Sequence, residues 1–174
     1  MNRHAKLPLA LLLLFFATHL RAADIAANAS RDATQLVACM KVFDSACVIS
    51  WTYTKMLEDH GISRDQLNQG LVKMYQQMKS LHARYAVFEL SAPWPPFVSR
   101  ENAYVFIPYS MVLTTRGQDT TGKAFFLGIS DDAGISWKFV DGQKITQDNI
   151  KMFIPGYDGA TLPPTSLSQR AAAE

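Results

Sequence analysis

The amino-acid sequence predicts an α+β domain in which helices come first and an antiparallel sheet follows. Two observations carry that expectation. Apolar residues recur at helical spacing as far as Leu81, and beyond it they gather in short β-branched and aromatic runs separated by turn residues. Helices and strands segregated along a chain build α+β folds, whereas interleaved ones build doubly wound sheets.

The folded part is expected to start after residue 22. Arg3 and Lys6, an apolar run centred on Leu9 to Ala17, and the small-residue exit Leu20-Arg21-Ala22-Ala23 follow the layout of a secretory signal peptide. The run is shorter than the ~20 residues that span a bilayer as a helix. No Cys stands at the exit to take a lipid. The expected organisation is a signal peptide over 1–22, a single α+β domain over 23–158 and a flexible tail over 159–174. That places the protein in the periplasm or outside the cell, with no membrane insertion after cleavage. Of the 17 Lys and Arg, 14 remain after cleavage, against 15 Asp and Glu. A near-neutral chain lacks the clustered positive charge that nucleic acid or an anionic membrane requires.

Asp24 to Phe43 is Ala-rich and free of Gly and Pro, as suits a helix, with Leu36, Met40 and Phe43 on one face. Asp44-Ser45 breaks it, and a second helix is expected from Ala46 to His60, stopped by Gly61. Cys39 and Cys47 flank that corner. In an exported protein such a pair reads as a disulfide, which contributes about 2.5 kcal/mol in the chain-entropy model. A metal pair would need further ligands near by, and a redox pair would usually be C-x-x-C. Ser63-Arg64-Asp65-Gln66 is a capping box opening a third helix, whose stripe is Leu67, Leu71, Met74, Met78 and Leu81. The methionines could form an adaptable binding surface, but in such a stripe they read as core.

Four strands are expected next, as an antiparallel meander. Tyr85 to Leu90 ends at Ala92-Pro93-Trp94-Pro95-Pro96, which cannot pair in a central strand. Ala103 to Thr115 is interrupted by Pro108, which argues for an edge position or a bulge. Gly117 to Gly122 reads as a turn, Lys123 to Ser130 as a strand, and Trp137 to Val140 as the last strand. Thr146 to Ile154 would form one short helix before Pro155-Gly156.

The turn between the last two strands, Ser130-x-Asp132-x-Gly134-x-Ser136-Trp137, matches the Asp-box of sialidase propellers. One copy, with no blade-length period, excludes a propeller. Read physically it is a structural turn made of Ser130, Asp132, Gly134 and Trp137. The Asp carboxylate accepts backbone N–H groups, Gly supplies a positive φ, and the indole packs over the loop. Sugar contact through Trp137 is the alternative, set against the usual packing role of a strand Trp.

Taken together, helices followed by this strand order resemble the cone fold of nuclear transport factor two, ketosteroid isomerase and polyketide cyclases. More narrowly, FIPYSMVLTT…KAFFLGISDDAGISWKFVDG…IPGYDGATLPP is similar to small exported bacterial proteins of unassigned function. The resemblance spans about Asp32 to Pro164 and is specific only in the hairpin. It implies a strongly curved sheet wrapped around the longest helix, and a homodimer formed through the open sheet face. It brings no catalytic motif.

Cone-fold enzymes set an Asp, His or Tyr pair in the pocket to move a proton beside a carbonyl. His60 and His82 both stand at helix ends, where the dipole alone explains them. Glu89, between Phe88 and Leu90, is the best lone candidate for a pocket carboxylate, although strand alternation favours an outward position. No hydrolase, metalloprotease, Walker or dinucleotide motif occurs, so neither metal nor cofactor is expected. Trp51, Tyr53, Trp94, Phe97, Tyr104, Phe106 and Tyr109 could line a cavity or form core. Trp94 and Phe97, on the rigid Pro-rich segment, are the candidate binding residues.

The sequence therefore points to an exported, noncatalytic binding or accessory module whose partner is a protein surface or a small apolar ligand. A small isomerase, dehydratase or cyclase is the first alternative. A periplasmic inhibitor or immunity protein is the second.

Overall fold

The computed structural model describes the backbone of residues 9–59, 61–159 and 161–169, with side chains from residue 23 onward apart from 56 and 169. Its element order is α1 Leu9–Lys41, α2 Ser45–Trp51, α3 Lys55–Asp59, α4 Arg64–Ser80, β1 Arg84–Leu90, β2 Phe97–Ser99, β3 Asn102–Thr115, β4 Gln118–Ser130, β5 Lys138–Asp141, α5 Ile150–Phe153 and β6 Ser166–Gln169. The α+β organisation is as expected, but among the described residues the sheet has six strands instead of four. The two additional strands, β2 and β6, are only three and four residues long.

Those six strands occupy four lanes. β1 and β2 share one side of β3, β4 pairs along the other side of β3, and β5 and β6 share the far side of β4. The β3–β4 hairpin is the backbone of the sheet, in register from Ala103↔Ser130 to Thr115↔Gln118. Its turn is not the six-residue Gly117 to Gly122 loop read from composition. Arg116 and Gly117 alone reverse the chain, at φ 51 and 81. Two successive left-handed residues give the hairpin turn whose twist matches that of the strands.

Pro108 sits inside β3, a strand paired on both sides, and not at a sheet edge. It is accommodated because β1 ends at Leu90 and β2 begins at Phe97, so its missing N–H faces the gap between them. The Pro-rich segment crosses that gap: Ser91 N–H donates to Pro108 O and Trp94 N–H to Phe106 O, both at 2.8 Å. The expected bulge lies in the neighbouring strand, where the β1 register shifts between Tyr85 and Val87.

Near-continuous apolar runs in β3 and β4 arise because both faces of the sheet are buried. On one face Val105, Ile107, Tyr109, Ala124, Phe126 and Phe139 pack with Ala29, Ala33 and Leu36 of α1 and Tyr75 of α4. On the other, Tyr104, Phe106, Phe125, Leu127 and Ile129 pack with Ile145, Ile150 and Ile154 from the C-terminal segment. Half-buried Trp94, Phe97, Tyr157 and Leu162 complete that second layer.

Four helices depart from their sequence reading. α1 begins at Leu9 and not at Asp24, so it runs unbroken through residues 9–22 of the segment read as a signal peptide. The second is cut at Thr52-Tyr53-Thr54, where Thr52 makes a parallel bridge to Phe139 and Tyr53 N–H donates to Phe139 O at 3.0 Å. β-branched and aromatic residues are weak helix formers, so a strand partner wins there. In α4 the capping box at Ser63 and Gln66 forms. Tyr75 rather than Met74 takes the centre of its buried stripe, leaving Met74 43% exposed. The C-terminal helix shrinks to the single turn of α5.

Cys39 and Cys47 form a disulfide with Cα atoms 5.5 Å apart, joining the end of α1 to the start of α2. Asp44 caps α2 by accepting the Cys47 N–H at 3.0 Å. Among the described residues no helix is long and apolar enough to cross a membrane.

Candidate functional site

Three places bear on function: the β4–β5 turn, a groove beside the Pro-rich segment, and a cavity between helices and sheet. In the turn, Asp132 Oδ1 accepts Ile135 N–H at 3.1 Å, Ser136 N–H at 2.9 Å and the Ser130 hydroxyl at 2.7 Å. Its Oδ2 accepts the Ser136 hydroxyl at 2.6 Å. Ser130 Oγ in turn accepts Gly134 N–H at 2.8 Å, with Ala133 and Gly134 at φ 60 and 90.

The Ser136 hydroxyl above all, then the Ser136 N–H, the Ser130 hydroxyl and the Ile135 N–H, hold the Asp132 carboxyl down to about 2, against a smaller desolvation effect. A depressed folded pKa means stabilisation present above pH 4 and lost as pH falls toward 2. Because the group keeps solvent contact, we expect about 1 kcal/mol from it. Urea unfolding at pH 5 should therefore show Asp132→Asn destabilised by about that amount, with the gap to wild type closing by pH 2.

The turn docks on α1, a contact with no counterpart in the sequence reading. Asn28 Nδ2 donates to Gly134 O at 3.1 Å and Arg31 Nη2 to Ile135 O at 3.2 Å. Asp32, 3% exposed, accepts the Trp137 N–H at 3.0 Å. Trp137 is 0% exposed, its Nε1–H donating to Gly134 O at 3.2 Å. A sealed indole offers no face to a sugar, so the sugar-contact alternative is set aside.

The groove is a concavity of about 460 Å³ between the Pro-rich segment, β2 and the chain after α5. Trp94, Phe97, Phe106 and Tyr157 supply its aromatic wall, with Val98 73% exposed near by. The rings fix one another: Trp94 meets Phe106 edge-on at 5.9 Å, and Phe97 lies 5.8 Å from Phe106 and 5.9 Å from Tyr157. Trp94 and Phe97 are accordingly half-buried members of the second core layer as well as groove wall. The hydroxyl of Ser99 donates to Pro155 O at 2.6 Å and ties β2 to the opposite wall.

The cavity, about 190 Å³, lies between Leu36, Leu71 and Tyr75 of the helices and Phe126, Phe139 and Asp141 of the sheet. Asp141 Oδ1 accepts the Tyr109 hydroxyl at 3.1 Å and the Gln143 N–H at 3.0 Å, and Gln143 Nε2 donates to the Tyr109 oxygen at 3.3 Å. Desolvation raises the Asp141 carboxyl above the usual carboxylate range, opposed by those two bonds. The residue as a whole stays exposed, which makes it a rim carboxylate and not a sealed one. Burial, aided by the Asp141 charge, pushes the Tyr85 hydroxyl up to about 12 and raises Tyr109 and Tyr75 further.

Glu89, the carboxylate singled out from sequence, is exposed opposite Ser110 and takes no part in this cavity. Asp141 holds that place instead; it stands two residues after inward-facing Phe139, a period-2 signal that could have identified it. His82 is exposed past the end of α4, at φ 51. His60 lies outside the described residues. Compared with protein-family models, with curated proteins and with solved structures, the chain has no match in any of the three.

Proposed function

We propose that the protein is an exported, noncatalytic binding module that holds a small apolar ligand in the aromatic groove. The groove itself carries the reading. At about 460 Å³ it falls within the ~300–1,000 Å³ of ligand sites, whereas the 190 Å³ helix–sheet cavity falls below it. Its wall is rigid, because the rings are packed on each other, so little ordering entropy opposes binding. Export rests on the signal-like segment over 1–22, and the Cys39–Cys47 disulfide suits an oxidising compartment.

A neutral aromatic probe, N-phenyl-1-naphthylamine, should gain fluorescence on binding. Phe97→Leu should weaken that binding at least about fivefold while costing under about 1.5 kcal/mol of stability. Undiminished binding by the variant would exclude the groove. Alanine at Trp94 is a poorer test, since half-burial ties it to stability.

A second reading, proton transfer of the kind the cone-fold resemblance implies, is favoured by the Asp141–Tyr109 hydrogen bond at a cavity rim. It predicts deuterium uptake next to a ketone carbonyl in D₂O above the buffer rate, and a loss of at least about 100-fold in Asp141→Asn. Uptake equal in the two proteins would leave Asp141 without a catalytic part.

A further inference from the structure

We propose that the occupant of the groove is a free small molecule with a quaternary or fully alkylated ammonium head, held over the faces of Trp94, Phe97 and Tyr157 beside the Asp158 carboxylate. The inference rests on the groove being a ligand site, and it changes the occupant from a neutral apolar molecule to one whose apolar methyl surface carries a positive charge.

Three observations point that way. The wall is aromatic, and ring faces carry the negative lobe of a quadrupole that attracts cations. Among the described residues lining the groove the one charged side chain is Asp158; no Lys, Arg or His faces in. Anionic ligands such as carboxylates and phosphates meet a like charge there and no cation to bind them. Finally, of the three lining hydroxyls, two are already committed as donors: Ser99 to Pro155 O, and Tyr157 to Thr161 O at 3.0 Å.

A ligand that needs many donors, such as a sugar, is poorly served by such a wall. A trimethylammonium group needs none. It presents apolar methyls to the rings while its charge is met by the ring faces and the carboxylate, so both terms act on one group. Asp158 is exposed and can only supplement the rings, as screened surface charges do. The volume of about 460 Å³ leaves room beyond the head for a short alkyl or aryl body.

The test compares choline with its neutral isostere 3,3-dimethylbutan-1-ol, which has the same shape without the charge. In NMR titrations of the purified, disulfide-intact chain, choline should shift the resonances of Trp94, Phe97 and Tyr157, with a Kd about tenfold below that of the isostere. Asp158→Asn should shrink that ratio to about threefold while leaving the rest of the spectrum in place. Equal affinity for the two compounds would overturn the ammonium inference and leave the groove reading standing. If neither compound perturbs the groove while N-phenyl-1-naphthylamine does, the inference fails alone; if no probe does, both fail. Binding to phosphatidylcholine vesicles without binding to choline would overturn the assignment to a free ligand.

Discussion

Trp137→Ala is expected to lower the free energy of unfolding by about 4 kcal/mol, the largest effect of any single side chain in the hairpin. The indole is wholly buried beside α1 and the sheet, and its Nε1–H closes the turn onto Gly134 O. Truncation removes the transfer energy of a large aromatic, leaves a void the rigid β4 floor cannot refill, and removes one of the two hydrogen bonds that Gly134 O accepts, leaving it only Asn28 Nδ2. The floor is tight: a methyl placed on Gly128 would come within 3.1 Å of Trp137 Cε3 and 2.7 Å of Val105 Cγ1. Urea unfolding reads the change directly, and thermal unfolding should drop by roughly 10 °C in a domain of this size. Trp51→Ala, at a half-buried indole under the Lys138 ammonium, should cost about 1 kcal/mol. A Trp137→Ala protein as stable as Trp51→Ala would mean that the turn is not anchored by its indole.

Much of this architecture was legible because local signals and tertiary demands agree. Periodicity identified α4 and the C-terminal part of α1, Ser63-x-x-Gln66 marked the start of α4, and β-branched and aromatic runs marked β1, β3 and β5 within a few residues and all but the first five residues of β4. Errors fell where a tertiary partner decides. β2 and β6 are three- and four-residue strands that exist by pairing with a longer neighbour, and no pattern of period 2 can register in so few residues. Thr52 left a helix for Phe139, and Pro108 entered a central strand because the chain beside it had a gap. Half of the groove wall, Trp94 and Phe97, lies on one Pro-rich segment that stands out in the sequence, whereas Tyr157 and Asp158 come from a segment about 60 residues away that the sequence does not link to them. Asp32 was invisible for a similar reason, since its partner, the Trp137 N–H, is 105 residues distant.

Asp32→Ala should cost about 3 kcal/mol, and the cause can be separated from the adjacent ion pair. Asp32 touches two groups: Oδ1 accepts Arg31 Nε–H at 2.8 Å, and Oδ2 accepts the buried Trp137 N–H at 3.0 Å. The Arg31 side chain is 58% exposed, so solvent screens that pair and it contributes little. The Trp137 N–H has no water to turn to. Losing its charged acceptor leaves a sealed donor unpaired at the point where β5 begins, which carries most of the penalty. Asp32→Asn keeps an amide oxygen for that donor and should cost about 1 kcal/mol, and Arg31→Ala less than that. Urea unfolding of the three variants distinguishes the causes. An Arg31→Ala penalty equal to that of Asp32→Ala would assign the energy to the contacts of Arg31, its ion pair and its bond to Ile135 O, and not to the Trp137 N–H. The ordering Ala at 32, then Asn at 32, then Ala at 31 identifies the Trp137 N–H as the strongest of the contacts by which α1 anchors the β4–β5 turn.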